Sequence, residues 1–92
     1  MIYHYNDWIV EVNNHTISFT KGNHETREYN LIEWSDFTID DEYIYLKNID
    51  STESVFKLEE GEFIVGDLFD KYGEHIDTLA CWVFSEKYDV FD

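Results

Sequence analysis

The alternation of apolar and polar residues in short segments constrains the fold of this 92-residue chain most strongly. Residues 8–12 place three apolar side chains on one face of an extended strand, and residues 16–20 alternate two apolar side chains with three hydroxyl side chains. Asn13 and Asn14 lie between these segments and are typical turn residues. Because successive side chains of a strand point to opposite faces, the pattern predicts a β-hairpin.

A second hairpin is predicted further along the chain. Residues 37–39 and 43–46 are short segments rich in β-branched and aromatic side chains, and they flank the consecutive acids Asp40, Asp41 and Glu42. Such segments favour strands, and an acidic stretch between them favours a turn.

Further segments extend the β pattern. Residues 54–58 predict a short strand, and residues 78–84 are so apolar that a strand in the centre of a sheet is expected. Residues 28–34 show no assignable period. The chain contains one Ala and five Leu, and it is instead rich in the β-branched and aromatic residues that suit pleated surfaces. Several short strands at intervals of about ten residues indicate an antiparallel sheet or a small, partly open barrel.

One segment departs from this pattern and predicts a helix at about residues 62–74. Four apolar residues follow the i, i+3, i+4, i+7 spacing of an amphipathic helix, starting at Val65. Gly73 stands where a C-terminal glycine ends a helix, although residues 63–65 also fit a strand. The expected fold is therefore α+β: a single domain, residues 1–92, in which one helix packs on the sheet or partly open barrel.

Charge is the strongest indication of function. The chain has 21 acidic and 6 basic residues, a formal net charge of −15, and residues 28–77 alone carry a net charge of −12. Its 18% aromatic content distinguishes it from a disordered acidic segment. We expect the three Trp residues in a core and some of the seven Tyr residues at the surface. Because a large net charge destabilises a compact state, the acidity favours a role in binding a cationic partner.

Other classes of function lack support in the sequence. The four His residues show no metal-ligand spacing, and no glycine loop or basic patch suggests direct nucleic-acid binding, so no catalytic residue, metal or cofactor is predicted. Cys81 lies in an apolar run and is expected to be a buried structural thiol. The N-terminal residues lack a secretory signal pattern, no stretch is apolar enough for a membrane span, and the lone cysteine excludes an internal disulfide; we expect a cytoplasmic location.

The distribution of acids leads to a specific hypothesis, in which carboxylates replace nucleic-acid phosphates in the basic groove of a nuclease or defence effector. Duplex DNA carries one negative charge per ~1.7 Å of axis, and acidic strands and turns can present a comparable row. The candidate partner-binding residues are clustered carboxylates and two neighbouring tyrosines: Asp40, Asp41, Glu42, Tyr43, Tyr45, Glu59, Glu60, Glu62, Asp67 and Asp70.

In size, acidity and single-domain organisation, the chain is similar to phage-encoded inhibitors of host nucleases, including anti-CRISPR and anti-restriction DNA mimics. It is equally similar to acidic immunity proteins that neutralise basic nuclease toxins. The resemblance implies a stoichiometric inhibitor that is not an enzyme and that binds a basic protein rather than nucleic acid. It covers composition and size, and it assigns no site residue. The alternative is an acidic structural or regulatory interaction module without mimicry.

Overall fold

The computed structural model describes residues 1–59 and 63–84 and shows an all-β protein. These two ranges contain no helix, and therefore none that could span a membrane. Nine strands lie in the described ranges: β1 (Ile2–Tyr5), β2 (Trp8–Val12), β3 (Thr16–Lys21), β4 (Arg27–Asn30), β5 (Trp34–Asp40), β6 (Tyr43–Asn48), β7 (Glu53–Glu59), β8 (Phe63–Phe69) and β9 (His75–Val83). They form two antiparallel sheets of four and five strands. The predicted α+β fold is wrong.

The predicted helix at residues 62–74 is replaced by β8 and by the turn that leads into β9. Two glycines explain the error. Gly66 lies on the inner face of the sheet, where the ring of Phe56 occupies the space that a larger side chain would need. Gly73 has a φ of +83° in the turn, a conformation that glycine adopts in hairpin turns as readily as at the end of a helix.

The four-stranded sheet has the strand order β1-β2-β3-β4 and contains the predicted first hairpin. Val10 lies opposite Phe19 in the β2–β3 register, and both side chains are fully buried. The unassigned segment at residues 28–34 contributes to β4, which pairs with β3, and then connects to β5. The alternation in β2 and β3 therefore marks the core face, as expected for a sheet covered on one side.

The five-stranded sheet has the order β5-β6-β7-β8-β9 and contains the predicted second hairpin, in which Asp41 and Glu42 join β5 to β6. The strand predicted at residues 54–58 is β7, in the middle of this sheet. The strand predicted at residues 78–84 is β9, but its expected central position is wrong because β9 pairs with β8 alone within the described residues.

The core lies between the two sheets. Phe19 of the first sheet contacts Phe56 of the second with a ring-centroid distance of 5.4 Å, and Trp8 lies edge-on to Phe84 at 4.9 Å. The prediction that the tryptophans belong to the core is confirmed for Trp8, which is fully buried, whereas Trp34 and Trp82 are partly buried and pack against the core.

Two hydrogen bonds also link the sheets outside this core. The Trp34 indole N–H donates to the carbonyl of Asn13 at 3.2 Å, and the Tyr3 hydroxyl donates to the carbonyl of Asp41. The second bond fixes the β5–β6 turn against β1. The described residues extend over 41, 25 and 22 Å along the three principal axes.

Candidate partner-binding face

The five-stranded sheet has one face on the core and a second face turned away from it, which we call the outer face. On β6, β7 and the first half of β8 the outer side chains alternate with buried ones, and most of them are themselves half-buried. The strand registers place the following residues on the outer face: Asp36, Thr38, Asp40, Tyr43, Tyr45, Lys47, Glu53, Val55, Lys57, Glu59, Phe63, Val65, Asp67, Phe69 and Cys81. The face is thus aromatic and charged at once.

Asp40, the last residue of β5, and the turn residues Asp41 and Glu42 lie at one end of the outer face, and we call these three residues the acidic turn. Asp41 has a φ of +48°, a left-handed conformation that Asp tolerates better than most residues. Among the described residues, none of the three carboxylates is in an ion pair. Burial, followed by the Asp41 carboxylate, raises the pKa of the Tyr3 phenol that holds this turn.

Glu59 lies at the same end of the sheet as the acidic turn. The Leu58 amide donates to the Glu42 carbonyl at 2.9 Å, so the end of β7 lies beside the turn. Part of the Glu59 charge is compensated, because Lys57 Nζ lies 3.1 Å from its carboxylate. Interaction with the Glu59 carboxylate, and then with the Tyr43 side chain, raises the pKa of Lys57.

Two other predicted residues lie away from this end. Asp67 is on β8 and its carboxylate lies 3.0 Å from His75 Nε2. Asp70 is in the β8–β9 turn at the opposite end, where its carboxylate accepts hydrogen bonds from the Tyr72 and Glu74 amides at 2.8 and 2.9 Å. This geometry gives Asp70 a structural role in the turn. Glu60 and Glu62 lie outside the described residues.

The two predicted tyrosines are neighbours on β6. The rings of Tyr43 and Tyr45 stack with centroids 5.9 Å apart and planes inclined by 20°. Lys57 Nζ lies 5.4 Å from the Tyr43 centroid, within the range of a cation–π contact. Burial raises the pKa of Tyr45, and the carboxylates of Asp40 and Glu53 contribute to this increase. Tyr45 therefore lies near two carboxylates, and Tyr43 lies beside one cation, Lys57.

A groove of about 830 Å³ opens on the outer face next to these tyrosines. Its lining includes Glu53, Val55 and Phe69, which the sequence hypothesis did not select. Their only signal was the presence of large side chains on both faces of β7 and β8. That pattern identifies a strand with a half-covered second face, but in β8 it was interpreted as helical.

The position of the lone cysteine, Cys81, differs from the prediction made from the sequence. The prediction of a buried Cys81 thiol is wrong, because the side chain projects from β9 onto the outer face and is exposed. Its position follows from the register, in which Cys81 lies opposite Val65 and the neighbouring Ala80 is buried opposite Gly66. The described part of the chain contains no cluster of three or more His, Cys, Asp or Glu residues that could hold a metal ion.

Comparisons with known proteins add no family to this description. No protein-family model matches the chain, and no curated protein or solved structure matches it.

Proposed function

We propose that this protein is a stoichiometric inhibitor that acts as a DNA or RNA mimic. In this proposal the acidic turn and the neighbouring carboxylates occupy the basic nucleic-acid-binding groove of a nuclease or defence effector, and they exclude its substrate. The observation that carries the proposal is the grouping of Asp40, Asp41, Glu42 and Glu59 at one end of a single sheet.

The separation of charge between the two sheets supports this proposal. Residues 1–30, which form the first sheet, carry a formal net charge of −2, and residues 31–59 and 63–84, which contain the second sheet, carry −9. Neighbouring strands lie ~4.8 Å apart, so acids at the ends of adjacent strands and turns form a closely spaced negative surface. A surface of one sign accelerates association with a basic protein by long-range attraction.

The attachment of the acidic turn supports the proposal as well. The hydrogen bond from the Tyr3 hydroxyl to the Asp41 carbonyl joins the turn to the other sheet. A turn that is held in place before binding loses little conformational entropy when the partner binds. A fixed position is what a row of carboxylates needs if it is to replace phosphates at set distances.

The proposal is tested by competition with a purified target. Affinity capture from the source organism, at low and high salt, identifies the basic nucleic-acid-binding protein that is retained at low salt. The purified target is then mixed with labelled duplex or single strand and with increasing amounts of this protein. We expect displacement of the nucleic acid at about one equivalent, with no contact between this protein and the nucleic acid. A ternary complex of all three components would overturn mimicry and favour the regulatory interaction module.

Charge-matched variants locate the binding surface. The variant D40N/D41N/E42Q neutralises the acidic turn, and Asn at position 41 tolerates the same left-handed conformation. The control E11Q/E25Q/E28Q removes the same charge from exposed positions of the four-stranded sheet and its turn. We expect the first variant to weaken inhibition by at least about tenfold, which is ~1.4 kcal/mol, and the control to change it far less. Equal losses would show that net charge alone determines binding.

A further inference from the structure

The hydrogen bonds at the two ends of the β6–β7 pairing fix the direction of the backbone groups on β6. The Asn48 amide donates to the Thr52 carbonyl at 2.8 Å, and the Leu58 amide donates to the Glu42 carbonyl at 2.9 Å. Directions alternate from one residue to the next along an antiparallel strand. The even-numbered residues of β6 therefore direct their backbone groups to β7, and the odd-numbered residues direct theirs to β5.

The side of β5 that faces away from β6 is an edge with backbone groups available for pairing, and we call it the open edge. Residues 36, 38 and 40 lie opposite odd-numbered residues of β6, so Phe37 and Ile39 direct their backbone groups to the open edge. The Phe37 amide donates to the Asp36 carboxylate at 2.9 Å. No described strand pairs with β5 on this side. The amide and carbonyl of Ile39 and the carbonyl of Phe37 can therefore bind an added strand.

Charge distinguishes the open edge from the other sheet edges among the described residues. Residues 33–42, which contain β5, carry five acids and no base. The edge strands β1 and β4 carry no net charge, and β9 carries one acid. Lys47 lies opposite Asp36 and offsets one of the five charges, whereas Asp40 lies opposite Tyr43 and forms no ion pair with a described residue. The open edge therefore favours a basic strand.

The same charges oppose pairing with a second copy of the chain. Antiparallel pairing of two β5 strands centred on Thr38 would place Asp36 of one copy opposite Asp40 of the other. Like charges that lie directly opposite destabilise a sheet. Charged edges of this kind suppress self-association.

The two faces of β5 specify the side chains of the added strand. Asp36, Thr38 and Asp40 are exposed on the outer face, whereas Phe37 and Ile39 are half-buried on the core side. Residues of a paired strand lie beside these side chains on the same two faces. An added strand with basic residues at alternate positions and apolar residues between them would complement both faces.

We propose that the open edge of β5 binds an extended segment of a partner protein in which basic and apolar residues alternate, and that this segment becomes a further strand of the five-stranded sheet. Main-chain hydrogen bonds to Ile39 and Phe37 hold the segment, and its basic side chains lie beside Asp36 and Asp40. This inference deepens the proposed function, on which it rests for the partner being a nucleic-acid-binding protein. It extends the contact at the acidic turn, which begins at the last residue of β5, along the whole strand.

The test uses acetyl-Lys-Val-Lys-Val-Lys-Val-Lys-amide, titrated into the full chain and followed by amide NMR spectra. The matched probe, acetyl-Val-Lys-Lys-Val-Val-Lys-Lys-amide, has the same composition and charge without the alternation. We expect saturable shifts at residues 35–40 with the alternating peptide and protection of the Ile39 amide from hydrogen exchange. The alternating peptide should bind at least about tenfold more tightly than the probe. Equal binding of the two peptides, or shifts confined to other strands, would overturn the inference.

Methylation of the peptide backbone separates strand pairing from charge attraction. Valines of the bound peptide lie opposite Phe37 and Ile39, so their amides face β5, whereas the lysine amides face solvent. N-methylation of two valines should abolish protection of the Ile39 amide, and N-methylation of the two internal lysines should leave it in place. Equal effects of the two modifications would contradict strand pairing.

A proline variant tests the open edge from the side of the protein. I39P removes the outward amide, which an edge strand tolerates because that amide does not pair with β6. The matched control is N30P, because Asn30 faces the free side of β4, as the adjacent Leu31 amide donates to the His15 carbonyl on the β3 side. We expect I39P to weaken binding of the alternating peptide at least about fivefold and N30P to leave it unchanged. Unchanged affinity of an I39P protein with a dispersed amide spectrum would contradict the assignment, and the methylated peptides test the same contact in the unaltered chain.

The two proposals fail separately. If the alternating peptide does not protect the Ile39 amide but the protein still displaces nucleic acid from its target, the strand-pairing inference is wrong and mimicry stands. If the peptide pairs with β5 but a ternary complex forms with target and nucleic acid, mimicry is wrong and the open edge remains the binding site of an interaction module.

Discussion

Replacement of Gly66 by Ala separates the observed strand from the helix that the sequence predicted. A Cβ added at Gly66 would lie 2.6 Å from Phe56 Cε1 and 2.7 Å from Phe56 Cδ1, far inside van der Waals contact. Phe56 cannot move aside easily, because its ring is fully buried and packs against Phe19 and Tyr29 with centroids 5.4 and 5.8 Å away. The G66A variant must therefore shift a ring that is held on several sides.

The expected cost follows from two opposing terms. Overpacking a core by one methyl group costs about 1–3 kcal/mol. Restricting the unfolded chain by a glycine-to-alanine change returns about 0.4–1 kcal/mol. We expect G66A to lower the free energy of unfolding by about 1–2 kcal/mol, and to lower the Tm by about 5–15 °C in a domain of this size. In a helix, the same change would raise stability by about 1 kcal/mol.

Urea unfolding followed by tryptophan fluorescence measures this difference in sign. The matched control is F56L, alone and combined with G66A. Because the smaller Leu side chain leaves space for the new methyl group, we expect the double variant to be more stable than the sum of the two single changes predicts, by at least about 0.5 kcal/mol. A G66A protein as stable as the parent, or strictly additive effects, would refute the packing of Gly66 against Phe56.

Three further predictions follow from the charges and from the exposed thiol. Salt screens the repulsion among the acids, so the Tm should rise between low salt and about 0.5 M sodium chloride, and a flat or falling response in a thermal scan would show that the acids are well separated. Hydrogen bonds from Lys21 and from the Thr52 hydroxyl lower the pKa values of Asp7 and Asp50, respectively, below those of the unfolded chain. The stabilisation that these two carboxylates contribute is therefore complete above the unfolded pKa and is lost as the pH falls through the folded pKa. D7N and D50N should each reduce the loss of stability below about pH 4 in acid titrations. An unchanged acid transition would contradict this prediction. Cys81 should react with a water-soluble maleimide in the folded protein nearly as fast as in urea, whereas strong protection would show that β9 faces the other way.

The strands with one buried face and one solvent-exposed face were predictable from the sequence. In β2 and β3 the core residues alternate with Glu11 and with hydroxyl side chains, so their period is visible without a structure. β8 was not predictable in this way, because its outer face carries Val65 and Phe69 and is itself half-buried. With apolar residues on both faces, the period of two disappears and a helical spacing fits by coincidence. β9 was predicted as a strand, but its apolar run was expected at the centre of a sheet, whereas among the described residues β9 pairs with β8 alone.

The sequence predicted which residue types form the candidate site, but not which of these residues lie together in the fold. The grouping of the acidic turn with Glu59 depends on the pairing of β6 with β7, which brings together residues about sixteen positions apart. Asp67 and Asp70 looked equivalent to them in the sequence but lie away from that end. Asp70 is used by its own turn and lines the groove that Tyr43 and Tyr45 also line. The groove on the outer face was missed because its lining comes from three strands and two turns. No local pattern reports which side chains from separate strands will face one another.

The order of the strands has a consequence for how the chain acquires its structure. Each described strand that follows another in the same sheet pairs with its immediate predecessor, so every pairing closes a short loop. Loop closure of this kind costs little entropy, and proteins rich in local pairings fold faster than sandwiches with long crossovers. The last strand of the first sheet ends at residue 30. Its core side chains, such as Trp8 and Phe19, are not covered by a second sheet until β6 and β7 have formed. We therefore expect both sheets to gain lasting protection from hydrogen exchange together, when the two layers dock.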